Sequence, residues 1–272
     1  MLGAIAGDII GSIYELKPIK TKEFPLFQRR SSISDDTILT IAIAETILKK
    51  ENYTTMLKQY YHRYPYAGYG KAFINWAKSN NTEPYNSWGN GSAMRVSPVG
   101  WAFNDLESVL IEAQKSAEVT HNHPEGIKGA KAIASAIFLA RTGHNKDTIK
   151  NYIQTQFGYD LNRTIAAIRP EYQWDVSCQG SVPEAIISFL DSTDFEDAIR
   201  NAVSLGGDSD TIACIAGSIA HAFYGIPPAI VTEIFPRLDD FLTNITREFL
   251  TKYSGSTLYE VQWMGKSETW FQ

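Results

Sequence analysis

Two short segments hold the residues best suited to chemistry. Ser34-Asp35-Asp36-Thr37-Ile38 opens one apolar run, and Asp208-Ser209-Asp210-Thr211-Ile212 opens another. Each sets two carboxylates and a hydroxyl at or just before the first turn of an expected helix. Capping explains part of this, because a Ser or Asp oxygen accepts an unpaired N–H and negative charge complements the helix dipole. One cap needs only one side-chain oxygen, so the second acid at each start is surplus. The second run, with Ile212, Ala213, Ile215, Ala216, Ile219 and Ala220, leaves little polar face. Acids held against such a core are costly unless they are paired or coordinate a cation. If the two segments converge, they assemble four carboxylates and several hydroxyls. An all-oxygen set favours hard ions such as Mg²⁺ or Mn²⁺ over zinc. Two ions sharing it would orient a water against a polarised substrate, which is the chemistry of a metal-dependent hydrolase.

Three other segments carry weaker signals. In Gly3-Ala4-Ile5-Ala6-Gly7-Asp8-Ile9-Ile10-Gly11-Ser12-Ile13-Tyr14-Glu15, the glycines fall four apart, a stripe that permits close helix contact. Asp8 and Glu15 stand seven apart and would share a helix face, either as part of a site or as a solvated stripe. Gly89-Asn90-Gly91-Ser92-Ala93-Met94-Arg95 reads as an ordinary turn or as a loop whose N–H groups can approach a phosphate. In Thr120-His121-Asn122-His123-Pro124-Glu125, no third His or Cys stands nearby, so a substrate contact or a helix entry fits better than zinc. Cys178 and Cys214 read as packing residues, because no His and third group accompany either one. Tyr64, Tyr66, Tyr69 and Trp88 could stack on a base or simply pack.

The elements that must position these groups read as helical. Apolar periodicity predicts helices over 35–50, 127–141, 183–190 with Pro183 at the first position, 194–205 from Asp194 to Gly206-Gly207, and 209–224 closed by Gly225. Strand signals are scarce, although Tyr259, Val261 and Trp263 alternate as a short terminal strand would. The stretch 17–33, with Pro18 and Pro25, reads as a loop. The chain has 272 residues, 44 % hydrophobic and 20 % charged, with a net charge of -5. One all-α domain over 1–272 is the expected architecture. The acidic balance argues against a nucleic-acid partner except as a modified substrate. No apolar run reaches the roughly 18 residues of a membrane span. The N-terminus does not read as a signal peptide, so the cytoplasm is the expected compartment.

Taken together and in this order, Gly7-Asp8…Glu15, Ser34-Asp35-Asp36-Thr37, Gly89–Arg95, Thr120-His121 and Gly206-Gly207-Asp208-Ser209-Asp210-Thr211 resemble the ADP-ribosylglycohydrolases. These are similar to the dinitrogenase reductase-activating glycohydrolases and the ADP-ribosyl-acceptor hydrolases. The resemblance runs from about residue 1 to about residue 230. It implies a compact single-domain all-α fold, an orthogonal helical bundle around a central dinuclear metal cleft with two Mg²⁺ or Mn²⁺ ions, and cleavage of the bond between C1″ of the distal ribose and an acceptor. The substrate would be an ADP-ribosylated protein or an ADP-ribose-bearing small molecule. By that resemblance Ser34, Asp35, Asp36, Asp208, Asp210 and Thr211 are the metal ligands. Ser34 and Ser209 stand where relatives often carry threonine. Asn90, Gly91, Ser92 and Met94 would line the ADP-ribose cleft, His121 would approach the diphosphate, and Ser181 and Val182 would border the cleft.

Cleavage at C1″ passes through an oxocarbenium-like transition state. Glu15 or Asp36 would act as general base, and loop 17–33 could serve as a lid that moves Glu15. Two rival readings use the same acids. A two-metal phosphohydrolase usually recruits His ligands as well. An ADP-ribose-binding or toxin-immunity protein would bind without turnover.

Overall fold

The computed structural model describes residues 1–254, and among these the regular elements are all helical. The strand read at Tyr259, Val261 and Trp263 lies outside the described residues. In chain order the helices are α1 (Leu2–Glu15), α2 (Asp35–Lys49), α3 (Tyr53–Arg63), α4 (Lys71–Lys78), α5 (Gly91–Met94), α6 (Ser97–Ala102), α7 (Leu106–Glu118) and α8 (Pro124–Arg141). They continue as α9 (Lys146–Phe157), α10 (Ile165–Ile168), α11 (Cys178–Leu190), α12 (Phe195–Val203), α13 (Ser209–Tyr224), α14 (Pro228–Ile234) and α15 (Asp240–Tyr253).

The centre of the molecule is the pairing of α1 with α13. Gly3, Gly7 and Gly11 of α1 face the backbone of α13 so closely that no side chain fits between them. A Cβ on Gly7 would lie 2.0 Å from the Ala213 carbonyl oxygen, and one on Gly3 would lie 2.1 Å from that of Gly217. The close approach is reciprocal, since a Cβ on Gly217 would meet the Gly3 carbonyl oxygen at 2.3 Å. Ile5, Ile9 and Ile10 of α1 and Ile212, Ile215 and Ile219 of α13 are buried in the apolar core around this pair. A helix that is apolar on nearly every face belongs in the interior, and α13 has Ser209 through His221 buried.

Several local signals act as read. Asp194 caps α12 by accepting from the Asp197 N–H, and Gly206 and Gly207 follow that helix with φ of 71° each, a conformation that costs glycine little. His123 is the cap of α8, accepting from the Glu125 N–H. One reading needs correction. Pro183 does not begin its helix, because α11 starts five residues earlier at Cys178, capped by Ser177. A proline at this depth is tolerated because its missing N–H forfeits one bond near the helix start, while Ser177 still holds the Gly180 N–H.

Loop 17–33 is pinned to the helices beside it. Lys20 Nζ donates to the Tyr172 carbonyl at 2.6 Å and also to that of Leu205. Arg200 donates to the carbonyls of Lys22 and Phe24, Lys22 pairs with Asp197, and Tyr14 donates to the Pro25 carbonyl. This segment is a strap across the α12–α13 turn. No helix among the described residues is long and apolar enough to cross a membrane.

Candidate active site

The glycine-mediated contact sets Asp8 of α1 against the start of α2. Asp8 is fully buried. Its Oδ2 accepts the Ser34 and Thr37 N–H groups at 2.9 and 3.1 Å, and its Oδ1 accepts the Ser34 hydroxyl at 2.7 Å. Ser34 in turn caps α2 by accepting the Asp36 N–H. With two side chains already satisfying that helix start, Asp35 and Asp36 are free for other work. At the second motif Asp208 precedes α13 without any side-chain cap bond. Its Oδ2 instead accepts from Asn90 Nδ2 at 2.7 Å. Capping therefore does not account for Asp35, Asp36 or Asp208, and of the four acids Asp210 takes a first-turn N–H, that of Thr211 at 3.0 Å, with one oxygen.

The two motifs meet. Thr211 donates to Asp36 Oδ2 at 3.2 Å, across 175 residues of chain. Asp8, Asp36 and Asp210 each offer a carboxylate oxygen, and these oxygens lie within 4.8 Å of one another. Glu15, Asp208 and Asp210 form a second such group, so Asp210 belongs to both. The shared face read for Asp8 and Glu15 is thus one side of this cluster. Asp35 lines the same cleft and faces Gly68, where a Cβ would lie 3.5 Å from its Oδ1.

Electrostatics make the cluster expensive as it stands. Burial first, and then the neighbouring carboxylates, push Asp35 up to about 8 and lift Asp36 and Asp210 well above the ordinary carboxylate range. Burial also raises Asp8 and Asp208, and Glu15 is raised by burial and by Asp208 and Asp8. Among the described residues none of the ion pairs formed by Lys or Arg reaches these acids. Asp36 Oδ1 is buried with no hydrogen-bond partner at all. An orphaned carboxylate oxygen inside an all-oxygen donor set fits a hard divalent cation.

The acids form the floor of a cleft of about 320 Å³. Its walls include Asn90, Gly91, Met94, Arg95 and His121, together with Phe73, Tyr85, Trp174 and Val176. The sequence-predicted residues divide accordingly. Glu15, Asp35, Asp36, Asp208, Asp210, Thr211, Asn90, Gly91, Met94 and His121 line the cleft. Ser34 sits behind Asp36 in contact with Asp8. Ser92 is fully buried and donates to the Gly126 carbonyl at 2.7 Å. Ser181, also fully buried, accepts from Asn90 Nδ2 at 3.1 Å, so it braces the residue that holds Asp208. Val182 is buried beside Gly129, on which a Cβ would lie 3.4 Å from its Cγ2.

Sequence reasoning missed the bracing role of Asp8 and the aromatic wall. Asp8 carried a signal, its spacing from Glu15, but its partner is 26 residues away. Tyr85 and Trp174 carried none, because they stand in loops, and Phe73 sits on the eight-residue α4, where the stripe of Phe73, Trp76 and Ala77 reads as core packing rather than as a cleft wall. Of the aromatics proposed for stacking, Tyr69 packs face to face with Phe73 at 5.2 Å and Tyr64 donates to Asp239. Tyr66 and Trp88 are exposed.

Comparison with known proteins gives concordant results. The family model described as ADP-ribosylglycohydrolase matches residues 1–257. ADP-ribosylhydrolase ARH3 of Gallus gallus is 27 % identical over 326 residues, covering 84 % of this chain and 86 % of that protein. ADP-ribosylarginine hydrolase Tri1 of Pseudomonas putida (strain GB-1) is 23 % identical over 272 residues, covering 86 % and 72 %. A solved structure described as an ADP-ribosylglycohydrolase-related protein complex superposes with a TM-score of 0.72 at 23 % identity, covering 92 % of this chain and 96 % of that one. That last likeness speaks to the fold.

Proposed function

The chain belongs to the ADP-ribosylglycohydrolase family, and from that premise we propose that it is a metal-dependent hydrolase releasing ADP-ribose from a modified acceptor by cleavage at C1″. The observation that carries the reading is the pair of carboxylate groups joined by Asp210 at the cleft floor. Ser34, Asp35, Asp36, Asp208, Asp210 and Thr211 would hold two Mg²⁺ or Mn²⁺ ions. Bound there, the ions would supply Lewis-acid charge and fix the ribose hydroxyls relative to the attacking water.

The chain's own groups do the rest. Asp8 holds Ser34 and the first turn of α2, and so sets where Asp35 and Asp36 point. Asn90, steadied by Ser181, holds Asp208. Glu15 is half-buried, less enclosed than Asp36, Asp208 and Asp210, and borders the cleft. Its raised affinity for a proton suits it to take one from water as positive charge develops on the ribose. Asp36, with one unpaired oxygen, is the second candidate for that proton. Asn90, Gly91, Met94 and His121 would face the nucleotide, and the aromatic wall of Tyr85, Phe73 and Trp174 offers it apolar surface.

The acceptor would be a protein side chain or a small molecule. Serine- and arginine-modified peptides and O-acetyl-ADP-ribose, incubated with Mg²⁺ or Mn²⁺ and resolved by mass spectrometry, identify it. Glu15→Gln should slow turnover far more than it weakens cation binding, whereas equal loss of both would remove its role as base. A protein that binds ADP-ribose yet releases product from none of these substrates would be a reader or an immunity partner instead. The phosphohydrolase alternative finds less support, because neither carboxylate group includes a histidine among the described residues.

A further inference from the structure

A short relay behind the cleft ends on His121. Arg95 is fully buried, and its Nη2 donates to the Ser116 carbonyl at 2.9 Å and to Thr120 Oγ1 at 2.7 Å. The same Thr120 oxygen lies 2.7 Å from His121 Nδ1. A guanidinium carries only donors, so the direction of the first link is fixed and Thr120 Oγ1 accepts. The threonine hydroxyl then has one proton to give. Among the described residues the one acceptor within hydrogen-bond distance of that hydroxyl is His121 Nδ1, at 2.7 Å. His121 Nδ1 is therefore the acceptor that completes the chain. The opposite arrangement would aim an Nδ1–H dipole toward the guanidinium and leave the threonine proton beside a cation.

The rest of the ring's surroundings agree. Burial and the Arg95 charge hold His121 well below the usual imidazole value, so the ring is neutral. A neutral imidazole has one N–H, and with Nδ1 accepting it sits on Nε2. Nε2 points at the glycine loop: a Cβ on Gly91 would stand 3.1 Å from it, and one on Gly89 3.7 Å. Gly126 packs closely on the base of the side chain, where a Cβ would meet His121 Cβ at 2.9 Å, and the Tyr85 ring flanks the imidazole at 6.0 Å between centroids. Among the described residues no protein atom accepts from Nε2. Arg95 Nε and Nη1 are likewise buried and without hydrogen-bond partners, so the cation's field is not quenched locally.

We propose that Arg95 and Thr120 are positioning residues that fix His121 as a neutral Nε2–H donor aimed into the cleft, where it serves an oxygen acceptor of the bound ligand. Gly89 and Gly91 leave the room through which that oxygen reaches Nε2. The identity of the ligand as ADP-ribose rests on the function proposed above. The tautomer is a property of the free protein and is measured without any ligand.

The test is a long-range ¹H–¹⁵N correlation spectrum of ring-labelled protein at neutral pH, with the His121 signals assigned by their absence in His121→Gln. The wild-type ring should appear as the Nε2–H form. Thr120→Val should move intensity toward the Nδ1–H form and weaken ADP-ribose binding roughly tenfold. Thr120→Ser should restore both. A wild-type ring in the Nδ1–H or doubly protonated form would overturn the inference, as would a tautomer unmoved by Thr120→Val. If the valine variant does not fold, the wild-type spectrum still decides. An Nε2–H ring in a protein that binds no ADP-ribose would sustain the relay and overturn the ligand assignment.

Discussion

Asp8 Oδ1 accepts the Ser34 hydroxyl at 2.7 Å while Asp8 Oδ2 accepts the Ser34 N–H at 2.9 Å, so one helix caps the start of another. The bond to the Thr37 N–H extends the same cap one turn into α2. Through this contact, the packing of α1 sets the position of Asp35 and Asp36. Asp8→Ala, measured with saturating Mg²⁺, should cost about 2–4 kcal/mol of stability, since it strips a buried charged acceptor from three donors. Asp8→Asn keeps one accepting oxygen and should lose roughly half as much. Chemical denaturation of the two variants beside the wild type checks this, and an unchanged midpoint in Asp8→Ala would contradict it.

Close packing of α1 on α13 yields a sharper contrast. A Cβ on Gly7 would lie 2.0 Å from a backbone oxygen that cannot step aside, whereas one on Gly70 meets nothing within 4 Å. Gly7→Ala should therefore cost about 3 kcal/mol or more. Gly70→Ala should shift stability by no more than about 1 kcal/mol, in the favourable direction where the backbone accepts it. Thermal melts of both variants suffice, and similar losses would show that the glycine stripe does not set the helix spacing.

Asn90 supplies a bond at 2.7 Å to a carboxylate that no helix cap restrains. Asn90→Ala should leave the fold intact and weaken divalent-cation affinity about 10–100-fold, the usual loss when a ligand's supporting partner is removed. Calorimetric titration with Mn²⁺ reads this. An affinity equal to wild type would mean that Asp208 is held by other means.

Much of this was legible in the residues and some was not. Helices α2, α12 and α13 follow from unbroken apolar periodicity and from caps at Ser34, Asp194 and Gly225. Helix α9 had readable ends at Asn145 and Gly158 but buries only Ile149 and Ile153, too thin a stripe to stand out. Both acidic motifs announced themselves by carrying more carboxylate than a cap can use. The Asp8 cap, the Asn90 brace and the aromatic wall did not, because each is made by chain-distant residues brought together only by packing. Pro183 misled for a related reason. The true start of α11 is set by Ser177, a cap that precedes a weakly apolar first turn.

Crowding of the acids should appear as an unusual pH dependence in the metal-free protein. Asp35, with a folded value of about 8 against an ordinary 3.8, binds its proton more tightly folded than unfolded. Asp8, Asp36, Asp208 and Asp210 are raised in the same direction. A raised carboxylate adds stability that is fully present below its unfolded value and is lost as pH climbs through its folded value. In chelator, the melting temperature should fall from about pH 5 to about pH 8. Saturating Mg²⁺ should flatten that slope. A chelated protein equally stable at both ends would contradict the buried charge cluster.

The cluster around Asp210 should drive cation-dependent release of ADP-ribose, and one assay meets this directly. Free ADP-ribose is quantified from serine- and arginine-modified peptides and from O-acetyl-ADP-ribose, with Mg²⁺, with Mn²⁺ and with chelator, for the wild type and for Asp210→Ala. Removing a group shared by both carboxylate triads should abolish release, as chelation should in the wild type, while circular dichroism of the variant stays helical. Release that persists in chelator, or in a folded Asp210→Ala protein, would contradict the account.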